Sequence, residues 1–166
     1  MYPSTNTQPD AVMATPLASV YNRLAIHTNG QQLLSIDFLP EDTALQSPRT
    51  QVAQRVVTQL RDYFLTPGYR FDLPLSFTAT EFQQRVWHCL QAIPPGETLT
   101  YGELAGTLGT SARAIGNACR NNPIPIIVPC HRVLARQGRG GYCGQLQGEM
   151  LAIKQWLLQH ESARGQ

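Results

Sequence analysis

Between Thr80 and Asn122 helix starts and stops alternate so closely that only short helices fit, and the signals at their ends dictate how those helices connect. Thr80 with Gln83, and Thr100 with Glu103, have the spacing of capping boxes, in which a hydroxyl accepts from the amide three residues on and the later side chain answers the first amide. Pro94-Pro95-Gly96 halts the first helix, whose apolar face is Phe82, Val86, Cys89, Leu90 and Ile93. The second ends at Leu108 before Gly109, and Thr110 or Ser111 can cap a third that reaches about Asn121, where Asn122-Pro123 ends it. Two short helices joined through a glycine turn are the layout of a helix-turn-helix. In the third helix Ala112, Ile115 and Cys119 face one way, while Arg113, Asn117 and Arg120 face the other.

Upstream the periodicity changes. Leu24 and Ile26, then Leu34, Ile36 and Phe38, alternate with polar neighbours around Asn29-Gly30, which suits a tight primed turn between two strands. Val52, Val56, Leu60 and Phe64 recur in steps of four, a helix of about four turns stopped by Thr66-Pro67-Gly68. Phe71 to Phe77 alternates around Pro74 and reads as an extended linker. The expected class is α/β of the α+β kind. A small sheet-plus-helix domain with its linker fills residues 1–78, and a helical domain with a winged helix-turn-helix-like motif fills residues 79–166.

The net charge of +2 conceals an asymmetry. No carboxylate lies between Glu103 and Glu149, yet Arg113, Arg120, Arg132, Arg136 and Arg139 do. A positive field over that segment points to an anionic partner, nucleic acid foremost. Nearly all the basic residues are Arg, which suits fork-like contact with phosphate. Cys89, Cys119, Cys130 and Cys143 form no C-x-x-C pair, which argues against a disulfide scaffold or a zinc finger. No apolar run approaches the ~18 residues that cross a bilayer, and the polar N-terminus lacks a signal-peptide pattern, so a cytoplasmic protein without membrane attachment is expected.

The richest segment is Ile124-Pro125-Ile126-Ile127-Val128-Pro129-Cys130-His131-Arg132-Val133. It reads as an apolar strand, ended by Pro129, that delivers a rigidly held Cys130, with the flanking His131 and Arg132 favouring the thiolate. Neighbouring side chains diverge, so His131 is expected to reach the Cys130 sulfur through a water. An imidazole acting as base also needs a partner on its other nitrogen, and Glu161 is a candidate.

Residues 80–161 resemble the C-terminal domain of the O6-alkylguanine-DNA alkyltransferases, also called methylated-DNA–protein-cysteine methyltransferases. The matching words are Phe82-Gln83 with Val86-Trp87, Ile93-Pro94 with Gly96, Thr100-Tyr101-Gly102, Ala112-Arg113-Ala114-Ile115-Gly116, Asn122-Pro123, Pro129-Cys130-His131-Arg132-Val133, Gly141-Tyr142, and Lys154 with Trp156-Leu157-Leu158 and His160-Glu161. The resemblance implies irreversible transfer of an alkyl group from O6-alkylguanine, and from O4-alkylthymine, in duplex DNA to Cys130, once per molecule. It implies His131 as water-mediated base, Glu161 as its orienting group, Asn122 as support of the turn and Tyr101 as a donor to the guanine ring. Arg113 would fill the base stack, and Ala112, Ala114 and Gly116 would permit close approach in the minor groove, with Arg120 on phosphate. The carbonyls of Cys130 and Val133 would read the exocyclic amine, and the amide near Cys143 would face O6.

The chain departs from the family pattern at Cys143-Gly144-Gln145, where a small residue followed by two glycines is common. Cys143 is expected close enough to Cys130 for oxidation to link them. Some relatives bind zinc in the first domain through Cys and His; here that domain has His27 and no Cys, so neither metal nor cofactor is expected. The expected assembly is a monomer. The competing function is a non-catalytic sensor that binds alkylated guanine in DNA, and a cysteine hydrolase is a third, disfavoured for want of an oxyanion site.

Overall fold

The computed structural model describes residues 8–138, 140–142 and 148–163. Three strands, β1 (Ala11–Ala14), β2 (Arg23–Thr28) and β3 (Leu33–Leu39), form an antiparallel sheet in the order β1-β2-β3. The alternating sequence pattern predicts two of them, β2 and β3. Strand β1 is too short to show a period, and it pairs with β2 through Val12 opposite Ala25 and Met13 opposite Leu24. The β2–β3 connection is also looser than the expected primed turn. The carbonyl oxygen of the Asn29 side chain accepts from the amides of Gln31 and Gln32, so Asn29 organises a wider loop in which Gly30 takes φ +88°.

Helix α1 (Gln51–Leu65), capped by the Thr50 hydroxyl on the Ala53 amide, covers the sheet with Val52, Ala53, Val56, Val57, Leu60 and Tyr63. The segment after it runs extended along the far edge of β3. Leu33 donates to the Pro74 carbonyl and its own carbonyl accepts from the Ser76 amide, so the edge is covered rather than open.

Both expected capping boxes form. Thr80 and Gln83 open α2 (Glu81–Gln91), and Thr100 and Glu103 open α3 (Tyr101–Leu108). Gly109, at φ 65° and ψ 40°, makes the left-handed turn, and the Ser111 hydroxyl, rather than Thr110, caps α4 (Ala112–Arg120) on the Ala114 amide. Trp87 is buried between α2 and α4, its indole N–H donating to the Ala118 carbonyl at 3.0 Å.

A two-residue parallel ladder joins β4 (Leu99–Thr100) to β5 (Val133–Leu134). It fixes the N-terminus of α3, and hence Tyr101, against the segment that follows Cys130. Helix α5 (Glu149–Ser162) packs its Ile153 and Leu157 into the core. Glu149, at its start, accepts from the Ser19 hydroxyl at 2.7 Å and the Val20 amide at 3.0 Å. Among the described residues, no helix is long and apolar enough to cross a membrane.

Candidate active site

The segment before Cys130 is not a strand. Ile124–Val128 forms successive turns, because Pro123, Pro125 and Pro129 remove ladder donors and the Asn122 side chain pins the chain into a loop. Buried Asn122 donates to the Val128 carbonyl at 2.8 Å and accepts from the Ile124 amide at 2.9 Å. The pinned loop forces Ile126 to φ 73°, a left-handed conformation that costs a β-branched residue about 1–3 kcal/mol. It also meets the first sheet, where the Ile36 amide donates to the Pro123 carbonyl.

Cys130, His131 and Arg132 then make a single 3-10 turn, all three buried. Burial pushes the Cys130 thiol up; a hydrogen bond from Asn122 and the charge of Lys154 offset part of that rise. The expected source of thiolate stabilisation therefore needs correcting. Arg132 does not face the sulfur. Its Nε donates to Glu161 Oε2 at 2.9 Å, one terminal nitrogen to Glu161 Oε1 at 2.8 Å and the other to the Ile93 carbonyl at 2.6 Å. Nor does Arg132 belong to the free positive field, since this fork neutralises it.

Glu161 Oε1 also lies 2.7 Å from His131 Nε2. Burial alone would raise the Glu161 carboxyl, but His131 and Arg132 outweigh it and hold the group well below the usual carboxylate range. An ionised carboxylate can only accept, so Nε2 carries the proton and Nδ1 keeps the lone pair. Burial, opposed by Glu161, lowers the affinity of His131 for a second proton. Its Nδ1 is buried and has no hydrogen-bond partner among the described residues.

Cys130 opens onto a cavity of about 580 Å³ whose walls include Tyr101, Ala112, Arg113, Gly116, Cys119 and Tyr142. Arg113 and Arg120 are exposed at its rim, while Ala114 is half-buried and lies outside the lining. Burial first, then Cys119 and Cys130, keep the Tyr101 hydroxyl protonated and so a donor. Gly140, at φ 71°, passes so close that a Cβ there would meet the Tyr101 ring at 3.0 Å. The Val133 carbonyl accepts from Lys154 Nζ at 2.8 Å and the Cys130 carbonyl from the Val133 amide. Cys143 lies outside the described residues, as does its expected link to Cys130.

Sequence reasoning missed Tyr63, assigned no site role to the motif residue Lys154 and gave Arg132 the wrong partner. Lys154 is wholly buried behind the pocket, with Nζ also 3.0 Å from the Gly141 carbonyl; Arg132 is turned inward; and the Tyr63 hydroxyl donates to Glu161 Oε1 at 2.8 Å. Only the alignment of α1 with α5 brings Tyr63 there, and no local spacing signals it.

A family model described as 6-O-methylguanine DNA methyltransferase, DNA binding domain, matches residues 81–163. The chain belongs to the 6-O-methylguanine DNA methyltransferase family. It is similar to the methylated-DNA–protein-cysteine methyltransferase of Mycobacterium bovis, 46% identical over 111 residues that make up 65% of this chain and 64% of that protein. The Shigella flexneri protein of the same name is 46% identical over 107 residues, 62% of this chain and 60% of that one. The family likeness extends to the whole architecture. The crystal structure of a Mycobacterium tuberculosis O6-methylguanine methyltransferase matches with a TM-score of 0.73 at 36% identity, covering 93% of each chain, and the Mycobacterium tuberculosis OGT in complex with DNA matches with a TM-score of 0.73 at 35% identity over 92% of each.

Proposed function

We propose that this protein repairs DNA by direct reversal, moving the alkyl group of O6-alkylguanine, and of O4-alkylthymine, onto Cys130 in a single irreversible step. The observation that carries the reading is a buried thiol at the floor of a cavity rimmed by arginines, beside a histidine locked in one tautomer by an ionised carboxylate. Residues 79–166 bind DNA through α3 and α4 as a winged helix-turn-helix, and residues 1–78 form the N-terminal α/β domain that supports them. Each molecule carries its own pocket, so it acts as a monomer, in the cytoplasm.

The chemistry follows from the groups present. The Cys130 proton passes through a water to His131 Nδ1, and the sulfur attacks the saturated alkyl carbon as the carbon–O6 bond breaks. The electron pair goes to the guanine, which Tyr101 meets with its hydroxyl. The carbonyls of Cys130 and Val133 receive the exocyclic amine, and the backbone near Cys143 faces O6. No group in the described cavity is arranged to hydrolyse a thioether, so the alkylated protein is the end point. Asn122 keeps the turn rigid, while Ala112, Ala114 and Gly116 allow α4 to lie close to the minor groove and Arg120 contacts phosphate.

Incubation with duplex DNA carrying labelled O6-methylguanine tests this. One equivalent of label on Cys130 is expected; tight binding without transfer would favour a sensor, and turnover beyond one equivalent would contradict the single-use step. Arg113, at the mouth of the cavity, is placed to enter the stack vacated by a flipped nucleotide and to offset part of the few kcal/mol that unstacking costs. Arg113→Ala should slow repair of duplex DNA far more than reaction with a free O6-alkylguanine base, and equal losses in the two assays would remove that role.

A further inference from the structure

We infer that Tyr63, on helix α1, is a positioning residue for the His131–Glu161 pair, so that the first half of the chain supplies a working part of the proton-transfer apparatus. The inference rests on the proposed function and deepens it.

Glu161 Oε1 receives three donors: His131 Nε2 at 2.7 Å, the Tyr63 hydroxyl at 2.8 Å and an Arg132 guanidinium nitrogen at 2.8 Å. Among the described residues, Oε2 receives only Arg132 Nε. The oxygen that faces the imidazole is therefore the crowded one, and Tyr63 sets both its position and its charge. A hydroxyl has one proton to give. Burial, then the adjacent Glu161 charge, raises the Tyr63 phenol far above its ordinary value, so it remains a donor throughout the working range.

Tyr63 is itself held from several sides. Its backbone carbonyl lies 2.7 Å from His160 Nε2, and its ring meets His160 edge-on at 5.1 Å and Phe71 at 5.3 Å. His160 stacks on Trp156 at 4.9 Å, and Trp156 meets Phe64 of α1 at 5.7 Å. A tyrosine needed only for packing would not require a hydroxyl directed into a buried ion pair, where an unpaired phenol is costly.

The consequence is electrostatic as well as steric. Each donor on Oε1 withdraws charge that would otherwise stabilise a protonated His131. The groups acting on that ring are Glu161 and Lys154 from α5, Arg132 from the 3-10 turn and, through Oε1, Tyr63 from α1. Removing the Tyr63 hydroxyl leaves Glu161 a stronger partner for the imidazolium, so His131 takes a second proton at higher pH and ceases to be a base sooner on acidification.

The experiment is the rate of methyl transfer from labelled O6-methylguanine duplex against pH, for the full-length protein, Tyr63→Phe and Trp156→Phe. Tyr63→Phe is expected to lower the plateau roughly tenfold, a fraction of the 10²–10⁴ that a general base supplies, and to move the acid limb up by about half a unit to one unit. Trp156→Phe disturbs the same junction without touching Glu161 and should leave the limb where it is. An unmoved limb in Tyr63→Phe, even with a lower melting temperature, overturns the inference, as does an equal shift in Trp156→Phe. Should Tyr63→Phe fail to fold, the hydroxyl proton of Tyr63 in the unsubstituted protein decides: a slowly exchanging downfield resonance supports the bond and a freely exchanging one overturns it. If the unsubstituted protein transfers no methyl group, the proposed function fails, which is a separate outcome.

Discussion

Cys130→Ala is expected to reduce transfer of label from O6-methylguanine duplex to below detection while leaving affinity for the same duplex within a few-fold of the original. The displacement needs a soft nucleophile at that point, and no other described thiol can replace it. Cys119 also lines the cavity, but burial, followed by the neighbouring Cys130, raises its thiol far above the ordinary value, and no cause that lowers it outweighs them. Under the proposed function, binding rests on other groups: the exposed Arg113 and Arg120, the Tyr101 hydroxyl and the turn built by Asn122. Removing one buried sulfur leaves a small hole that costs about 1 kcal/mol, or a few degrees in melting temperature for a chain of this size. Label transfer, fluorescence anisotropy on lesion and control duplexes, and thermal melting together check the prediction. Loss of binding along with transfer would mean the thiol has a structural role instead.

The two halves of the chain were not equally legible. Capping boxes at Thr80 and Thr100 and the left-handed Gly109 are local devices, satisfied within a few residues, so spacing alone revealed them and the helices they bound. The turns at 124–128 were misread because an apolar run looks the same in a strand and in a proline-pinned loop; what separates them is the Asn122 side chain bonding to Val128 and Ile124, a three-dimensional fact. Strand β1 was overlooked because β2 supplies its pairing. The site shows the same division. Cys130 and His131 stand out by adjacency, and Glu161 by motif; helical spacing turns Arg113 outward, but adjacency to Cys130 suggests a sulfur contact for Arg132 and gives no sign that its partner is Glu161. That pairing is set by where Glu161 arrives on α5. The positive field read from the sequence consequently includes Arg132, whose charge is neutralised inside the fold by Glu161.

Arg132→Met tests that reassignment and should be the most destabilising single change at the site. It leaves the Glu161 carboxylate buried with only His131 and Tyr63 as donors, and an uncompensated buried charge costs about 3–5 kcal/mol, which for a chain of this length is a melting-temperature drop of roughly 6–20 °C. The loss should depend on pH in a definite direction. In the folded protein burial holds His131 neutral, whereas the unfolded chain takes up a proton as pH falls through the ordinary imidazole value of about 6.5, so stability is fully present above that value and declines below it. Glu161, held ionised when folded, adds a second decline once pH drops below the usual carboxylate range. Without the Arg132 charge the carboxylate favours the imidazolium more strongly, so folded His131 accepts the proton more readily and the first decline shrinks. Urea midpoints at pH 8, 6.5 and 5 should therefore show the gap between the two proteins widest at pH 8 and narrowing toward pH 5. A gap that stays constant over that range would mean the guanidinium contributes by packing along its length, with its charge already screened from the imidazole.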